Sequence, residues 1–331
     1  MATIRNVFPS RPVRNRNYCY IISVRNHRAE PGRHVVIADE TVENYCGGME
    51  NNSGRSGSRH FWWLISVCLL TLCSCDLHNK LADLQFKQGL KKYAAGDSAG
   101  ALDDFTAAIH QNPKFANAYL YRGIIQLSHS NCPVAIADFD KVIELEPDNS
   151  QAYTDRGLAK QALRDFGGAV TNFSEAIRLD PNGSDAFKYR GVVRLMLRDW
   201  EGALADFNQA MSLNPDDPEI YRDRAGLQFM RKEFESATAD ASRAIELNDK
   251  DAVAYRFRGL ARMRLRDFTN ALADFDEAVA LNPGDAESFA GRGAVRVVQG
   301  NLDGAETDLV TATRLNPTNL TAKVSLGYVK M

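Results

Sequence analysis

The sequence predicts an all-α protein built as a solenoid of helix-turn-helix repeats, and three observations lead to this prediction. The same residue types recur every 34 residues over residues 82–319. Counting from Ala82 as position 1, positions 4, 7, 8 and 11 share one stripe of an α-helix, and positions 20, 24 and 27 share a stripe of a second helix. Proline at position 32 ends that second helix in six of seven cycles. Repeats of this kind stack into a continuous core and commonly bind partners.

Each column of the repeat has a packing role. Small residues at positions 8, 20 and 27 let two helix backbones approach closely, and an aromatic ring at position 24 fills the space beside them. The position-8 column is Gly89, Gly123, Gly157, Gly191, Ala225, Gly259 and Gly293. The position-24 column is Phe105, Phe139, Phe173, Phe207, Ala241, Phe275 and Leu309. Position 20 is alanine in every cycle, and position 4 is aromatic in six.

This order of aromatic, glycine, alanine, aromatic, alanine and proline resembles the tetratricopeptide repeat family. The resemblance implies a right-handed superhelix of helix pairs that binds a protein or peptide on its concave face. It divides the chain into seven repeats: 82–115, 116–149, 150–183, 184–217, 218–251, 252–285 and 286–319. Residues 320–331 begin an eighth repeat and are expected to form a C-terminal capping helix. Because that helix carries Val324, Tyr328 and Val329, we also expect it to allow self-association.

An arginine column departs from the family pattern at position 7, where an apolar residue is usual. An unpaired arginine on a core stripe is costly. Position 23 is the matching acidic column, and both residues are present in five repeats, so we predict a bidentate Arg–Asp bridge between the two helices. Repeat three has Asn172 in the acidic column. The alternative interpretation is a basic ladder for nucleic acid.

The N-terminal region falls into three predicted segments. Residues 1–48 are polar and arginine-rich without periodicity, so we expect an unstructured extension or an untranslated stretch preceding a true start at Met49. Residues 49–74 resemble a secretory signal peptide, with an apolar run at 61–73 that is too short to span a bilayer as a helix. The run ends Leu72-Cys73-Ser74-Cys75, which resembles a bacterial lipobox and implies lipid attachment at Cys75. Residues 75–81 are then a short tether.

Charge and cysteine content agree with an exported protein. The first 74 residues carry nine basic and five acidic residues, and the rest of the chain carries 31 and 37, a net charge of −6. This balance argues against nucleic acid as a partner. Once Cys75 is acylated, Cys132 has no partner for an internal disulfide.

Candidate chemical groups are few. His129 and Cys132 stand three residues apart in the turn of repeat two, but no third ligand or orienting acid accompanies them, so we interpret them as a divergent loop. We therefore expect no enzyme activity, no metal and no cofactor.

The resemblance places the binding surface at first-helix positions 2, 5, 9, 12 and 13, which we call the groove. It predicts an apolar surface with a basic step at position 5, suited to a peptide with acidic side chains. The predicted partner-binding residues are Lys188, Arg222, Arg256, Leu158, Val192, Leu195, Phe229, Leu260 and Met263. The alternative is that these apolar residues only seal neighbouring repeats together. Phe86 and Leu90 replace the lysine and asparagine of the family's chaperone-binding clamp, which argues against a cytosolic co-chaperone.

The function that these features predict is a non-catalytic interaction scaffold, tethered to a bacterial envelope membrane and facing the periplasm. One alternative is an accessory subunit of a periplasmic enzyme, or an assembly factor for a pilus or secretion complex. Another is a signal-anchored adaptor that faces the cytosol.

Overall fold

The computed structural model describes residues 77–330. The predicted extension, signal peptide and lipid-bearing Cys75 lie outside the described residues. Within them, the chain is helical throughout, with helix α1 at 77–94. The remaining helices are α2 Ser98–Gln111, α3 Ala116–Ser128, α4 Cys132–Leu145, α5 Ser150–Ala162, α6 Phe166–Leu179, α7 Ser184–Met196, α8 Trp200–Leu213, α9 Pro218–Met230, α10 Phe234–Leu247, α11 Ala252–Arg264, α12 Phe268–Leu281, α13 Ala286–Val298, α14 Leu302–Leu315 and α15 Leu320–Val329. The predicted solenoid of helix pairs is confirmed.

Part of the predicted tether lies within the described residues. Residues 77–81 belong to α1, because the helix extends by more than a turn ahead of the first repeat position. The segment that we predicted as a tether at 75–81 is therefore helical over its described part. No helix within residues 77–330 has the length and apolar character needed to cross a membrane.

Short capped turns separate the helices of each repeat. The residue at position 15 adopts a left-handed conformation in every repeat, from Gly96 to Gly300, with φ between 62° and 82°. In repeat three, Asp165 then donates its N–H to the Lys160 carbonyl at 2.9 Å, and its side chain accepts from the Gly168 N–H at 2.9 Å. One residue thus helps to close the first helix and caps the second. Asp97, Asp199 and Asn301 cap their helices in the same way.

The core lies between paired helices and follows the predicted columns. Phe207 is fully buried, and a Cβ atom at Gly191 would lie only 2.8 Å from its ring. The phenylalanines at position 24 in repeats one, two, three and six are equally buried. Repeat seven has a buried Leu309 in place of the ring, and repeat five has Ala225 and Ala241 in place of both the glycine and the ring, also fully buried. Close backbone approach and a buried apolar side chain thus pack each helix pair together.

Candidate partner-binding groove

The arginine column joins the two helices of each repeat. Arg190 donates from Nε and Nη2 to the two carboxylate oxygens of Asp206, at 3.0 and 2.8 Å. Both side chains are largely buried, so the paired geometry offsets the cost of removing two charges from water. The same two-pronged contact forms in Arg122–Asp138, Arg224–Asp240, Arg258–Asp274 and Arg292–Asp308. The predicted bridge is therefore confirmed, and in repeat three Arg156 instead donates to the Asn172 amide oxygen at 2.7 Å.

The third guanidinium nitrogen ties each repeat to the preceding one. Arg190 Nη1 donates to the Ser174 hydroxyl at 2.9 Å, and Arg292 Nη1 donates to the Asp276 carboxylate at 2.8 Å. The guanidinium carbon of Arg190 also lies 5.7 Å from the centre of the Phe187 ring, at position 4 of the same helix. Equivalent links to the preceding repeat are Arg122–Thr106, Arg156–Asp140, Arg224–Asn208 and Arg258–Ser242. The guanidinium groups of the position-7 arginines are thus paired within the solenoid, which argues against their use as a basic surface for nucleic acid.

A second basic column, at position 11, was missed by the sequence analysis. Arg194 donates from Nη1 to Asp206 at 2.8 Å, so this carboxylate is held by two guanidinium groups. Arg262 makes the same contact at 2.8 Å and Arg296 makes it at 2.7 Å in their own repeats. The signal was present, because these arginines follow position 7 by four residues and so share its helix face.

The basic step expected at position 5 is neutralised inside the solenoid. Lys188 is buried, and its ammonium lies 2.9 Å from Asp217 and 2.8 Å from Glu219, both at the junction with the next repeat. Burial alone would lower the pKa of Lys188, but the neighbouring Tyr189 and the two carboxylates outweigh it, so its pKa lies above the ordinary value. These contacts lock adjacent repeats together.

The other two residues of the step are also paired. Arg222 contacts Asp223 at 2.9 Å and Asp251 at 3.5 Å. Arg256 contacts Asp285 at 2.8 Å and Glu287 at 3.5 Å. The expectation of a free basic step that attracts acidic side chains therefore requires correction: each position-5 residue forms an ion pair with the N-cap aspartate of the next repeat's first helix.

The six predicted apolar residues of the groove are all half-buried. They pack against the buried core of the solenoid: Leu158 in repeat three, Val192 and Leu195 in repeat four, and Leu260 and Met263 in repeat six. The centre of the Phe229 ring lies 5.7 Å from that of Phe234 on the following helix. These residues thus contribute to packing and keep part of their surface open, so their role in binding stays a prediction.

The most open apolar part of the groove is at position 13. Met196 is 54% exposed and Met230 is 47% exposed, one helix pair apart along the solenoid. Methionine adapts its shape to different apolar partners, which makes it common on protein-binding surfaces.

Position 6 lies beside the groove, because it follows position 2 by four residues on the same helix. In repeat three this position is Asp155, which is buried. Asp155 is only 7% exposed, and its Oδ1 accepts one hydrogen bond, from Gln151 Nε2 at 3.0 Å. Its Oδ2 is buried without a hydrogen-bond partner among the described residues. Burial raises the pKa of Asp155 to about 7, and the negative charge of Asp185 adds to the shift.

The histidine and the cysteine of repeat two differ in their exposure to solvent. Cys132 is buried as the first residue of α4, whereas His129 is exposed. Burial raises the pKa of the Cys132 thiol, which makes the thiolate less available. Within residues 77–330, no three histidine, cysteine or acidic side chains are grouped closely enough to hold a metal ion.

The sequence model of the tetratricopeptide repeat family matches residues 86–152, 154–218, 197–252, 231–286 and 258–319. The chain belongs to this family. The arginine column, the position-5 ion pairs and the exposed methionines are therefore features of a tetratricopeptide repeat solenoid. No curated protein matches the chain.

Solved tetratricopeptide repeat structures share the fold at low sequence identity. Cut9, from the crystal structure of the APC/C Cut9–Hcn1 hetero-tetramer, matches with a TM-score of 0.64 and 18% identity, over 76% of this chain and 48% of that one. A tetratricopeptide repeat protein from Parabacteroides merdae matches with a TM-score of 0.59 and 17% identity, over 76% of this chain and 100% of that one. PilF of Pseudomonas aeruginosa matches with a TM-score of 0.57 and 18% identity, over 64% and 96%. The chain thus spans about half the length of the Cut9 chain, and these likenesses establish the fold alone.

Proposed function

We propose that this protein is a membrane-tethered, non-catalytic scaffold that binds a protein or peptide partner in the groove of its solenoid. The observation that carries the proposal is the contrast between the two kinds of surface. The arginine and position-5 columns are neutralised by internal contacts, whereas position 13 keeps large apolar side chains open at Met196 and Met230. Exposed apolar side chains on neighbouring repeats of a solenoid are suited to a protein partner.

The groove is tested by adding charge where the side chains are already exposed. Met196→Lys combined with Met230→Lys introduces two charges without disturbing the buried core, and Gln209→Lys adds one on an exposed site of a second helix. Proteins would be crosslinked in intact cells, and the full-length variants captured from solubilised membranes. We expect the double variant to lose the partner that the wild type and Gln209→Lys retain. Equal capture by all three proteins would refute binding in the groove.

Membrane attachment through a lipid on Cys75 is the second part of the proposal. It rests on the sequence before the described residues, and it fits a first helix that is already formed at residue 77, close to the attachment point. In this arrangement the solenoid lies near the bilayer on the periplasmic side of the envelope.

Metabolic labelling with a fatty acid tests this attachment. We expect label on the wild type and on Cys73→Ala, and none on Cys75→Ala, because only the second cysteine occupies the lipidation position of the lipobox. An unlabelled wild type that stays in the membrane fraction would instead support the signal-anchored adaptor, and protease accessibility would then show which side it faces.

Self-association through the C-terminal helix is the third part. Leu320, Val324 and Tyr328 form a stripe on α15, with 72%, 64% and 68% of their surfaces exposed. Their spacing of four residues places them on one face of the helix. We expect Val324→Lys to shift the full-length protein to a smaller species in light scattering if a second copy packs there; an unchanged mass would remove this part.

A further inference from the structure

Two repeats carry an aspartate at position 6, and only one of these aspartates has a cation. In repeat five, Asp223 accepts from Arg222 Nε at 2.9 Å. In repeat three, the residue before Asp155 is Thr154, whose hydroxyl donates to the Ser150 carbonyl at 3.1 Å. Asp155 is the more buried of the two and lacks the cation that its counterpart has. A buried carboxylate without a positive partner is costly to ionise, and a cation that reaches it would lower this cost.

Tyrosines take the place of Asp155 in the two neighbouring repeats. Tyr121 on α3 and Tyr189 on α7 both hold position 6, and both helices contact α5, which carries Asp155. Asp155 contributes to the raised pKa of Tyr93 on α1 and of Tyr189 on α7, although burial is the larger cause in each case. The Tyr121 ring on α3 lies edge-on to the Tyr93 ring, with 6.2 Å between their centres. All three are half-buried, and none of their hydroxyls makes a hydrogen bond to another described residue. We name Asp155, Tyr93, Tyr121 and Tyr189 the Asp155 cluster.

The cluster has the composition of a cation-recognition site. Tyrosine ring faces attract ammonium and guanidinium groups, and a carboxylate adds a directional ion pair. Lys188, the residue before Tyr189, does not fill this role, because its ammonium is held by Asp217 and Glu219. Its ammonium also lies 5.1 Å from the centre of the Tyr189 ring, which shows that this ring already accepts one cation.

We propose that the Asp155 cluster is a subsite of the groove that binds a lysine or arginine side chain of the partner protein. This inference rests on the proposed function and specifies the chemistry of the partner. A basic side chain of the partner takes the place of the acidic one that position 5 led us to expect, because the position-5 charges are already paired within the solenoid. The guanidinium or ammonium pairs with Asp155 Oδ2 and lies against the tyrosine rings. Because Oδ2 is closed to solvent in this structure, binding requires the side chains around it to rearrange.

Tyrosine ring signals report this rearrangement directly. The probes are the peptides acetyl-Gly-Arg-Gly-amide and acetyl-Gly-Lys-Gly-amide, with norleucine and glutamate versions as neutral and acidic controls. Each is titrated to about 10 mM into the full-length chain with ring-labelled tyrosine, a range suited to a single-residue contact. Tyrosine-to-phenylalanine variants assign the signals. We expect saturable shifts at Tyr93, Tyr121 and Tyr189 with the arginine or lysine peptide only.

Two variants and one control decide whether Asp155 is responsible. Asp155→Asn removes the charge, and Thr154→Arg supplies an internal cation as Arg222 does for Asp223; each should weaken binding by about tenfold or more. Asp148→Asn, at an exposed turn position, should leave it unchanged. No saturable shift in the wild type, or an equal shift with the norleucine peptide, would overturn the subsite. If the wild type and Asp155→Asn still capture the same cellular partner while the peptides do not bind, the scaffold stands and this inference falls.

Discussion

The buried Asp155 makes the stability of the fold depend on pH in an unusual direction. Its pKa rises from an unfolded value of 3.8 to about 7 in the folded chain. Between these values the folded state holds a proton that the unfolded state has released, so stability falls as pH rises from about 4 to about 7. This loss of stability is absent at pH values below the unfolded pKa and complete at pH values above the folded pKa.

The size of this effect follows from the two pKa values. A difference of about 3 pKa units corresponds to about 4 kcal/mol of lost stability once the folded carboxyl is ionised, at 1.36 kcal/mol per unit. Asp155→Asn keeps the shape of the side chain and removes the titration. We therefore expect the variant to exceed the wild type by about 2–4 kcal/mol at pH 8, less any weakening of the Gln151 contact, and by almost nothing at pH 4.

Urea unfolding of both proteins at pH 4, 5.5, 7 and 8 measures this difference. Asp148→Asn serves as the control, because an exposed turn carboxylate should change stability little at any pH. The groups near Asp155, namely Asp185, Tyr93 and Tyr189, are present in both proteins and cancel in the comparison. A difference between wild type and Asp155→Asn that is the same at pH 4 and pH 8 would contradict a raised pKa of Asp155 in the folded chain.

Three further predictions follow from the packing. A double-mutant cycle on Arg190 and Asp206 should give a coupling energy of about 2 kcal/mol or more in urea unfolding, since the pair is buried and bidentate; a value near zero would contradict its structural role. Asn172→Asp should raise the free energy of unfolding by about 1 kcal/mol by restoring the charged pair of the other repeats, and a loss of stability would count against that account. Gly191→Ala should lower the melting temperature because its Cβ would clash, whereas Gly327→Ala, which has open space around it, should raise it slightly; equal effects would contradict the close-approach argument.

The fold could be predicted from the sequence because its periodic columns have one packing role each. Gly191 and Phe207 belong to the position-8 and position-24 columns, and a glycine and a phenylalanine at these positions mark a close contact between two helices. The helix pairs therefore follow from the local sequence pattern. The Arg190–Asp206 bridge was predictable for the same reason, since both columns recur at one spacing. The contacts that recur from repeat to repeat, namely the helix packing and the Arg–Asp bridge, can therefore be predicted from the repeating sequence.

The groove was harder to predict because its decisive contacts cross between repeats. Lys188 looked like a free charge at position 5, but Asp217 and Glu219 of the next junction reach it in the folded solenoid. Asp155 gave no signal at all, because a single aspartate at one repeat position is indistinguishable from a solvated one until its burial is known. Residues that differ from repeat to repeat are the ones that the proposed binding role uses, and their surroundings come from tertiary packing.

Photocrosslinking from the groove shows directly whether a partner binds there. A photoreactive benzoylphenylalanine replaces Met196 in one variant and Gln209 in another, each in the full-length protein expressed in its own cells. Both positions are exposed, but only the first lies in the groove. We expect a discrete crosslinked band from position 196 that is absent from position 209. The same band from both positions, or from position 209 alone, would contradict partner binding in the groove.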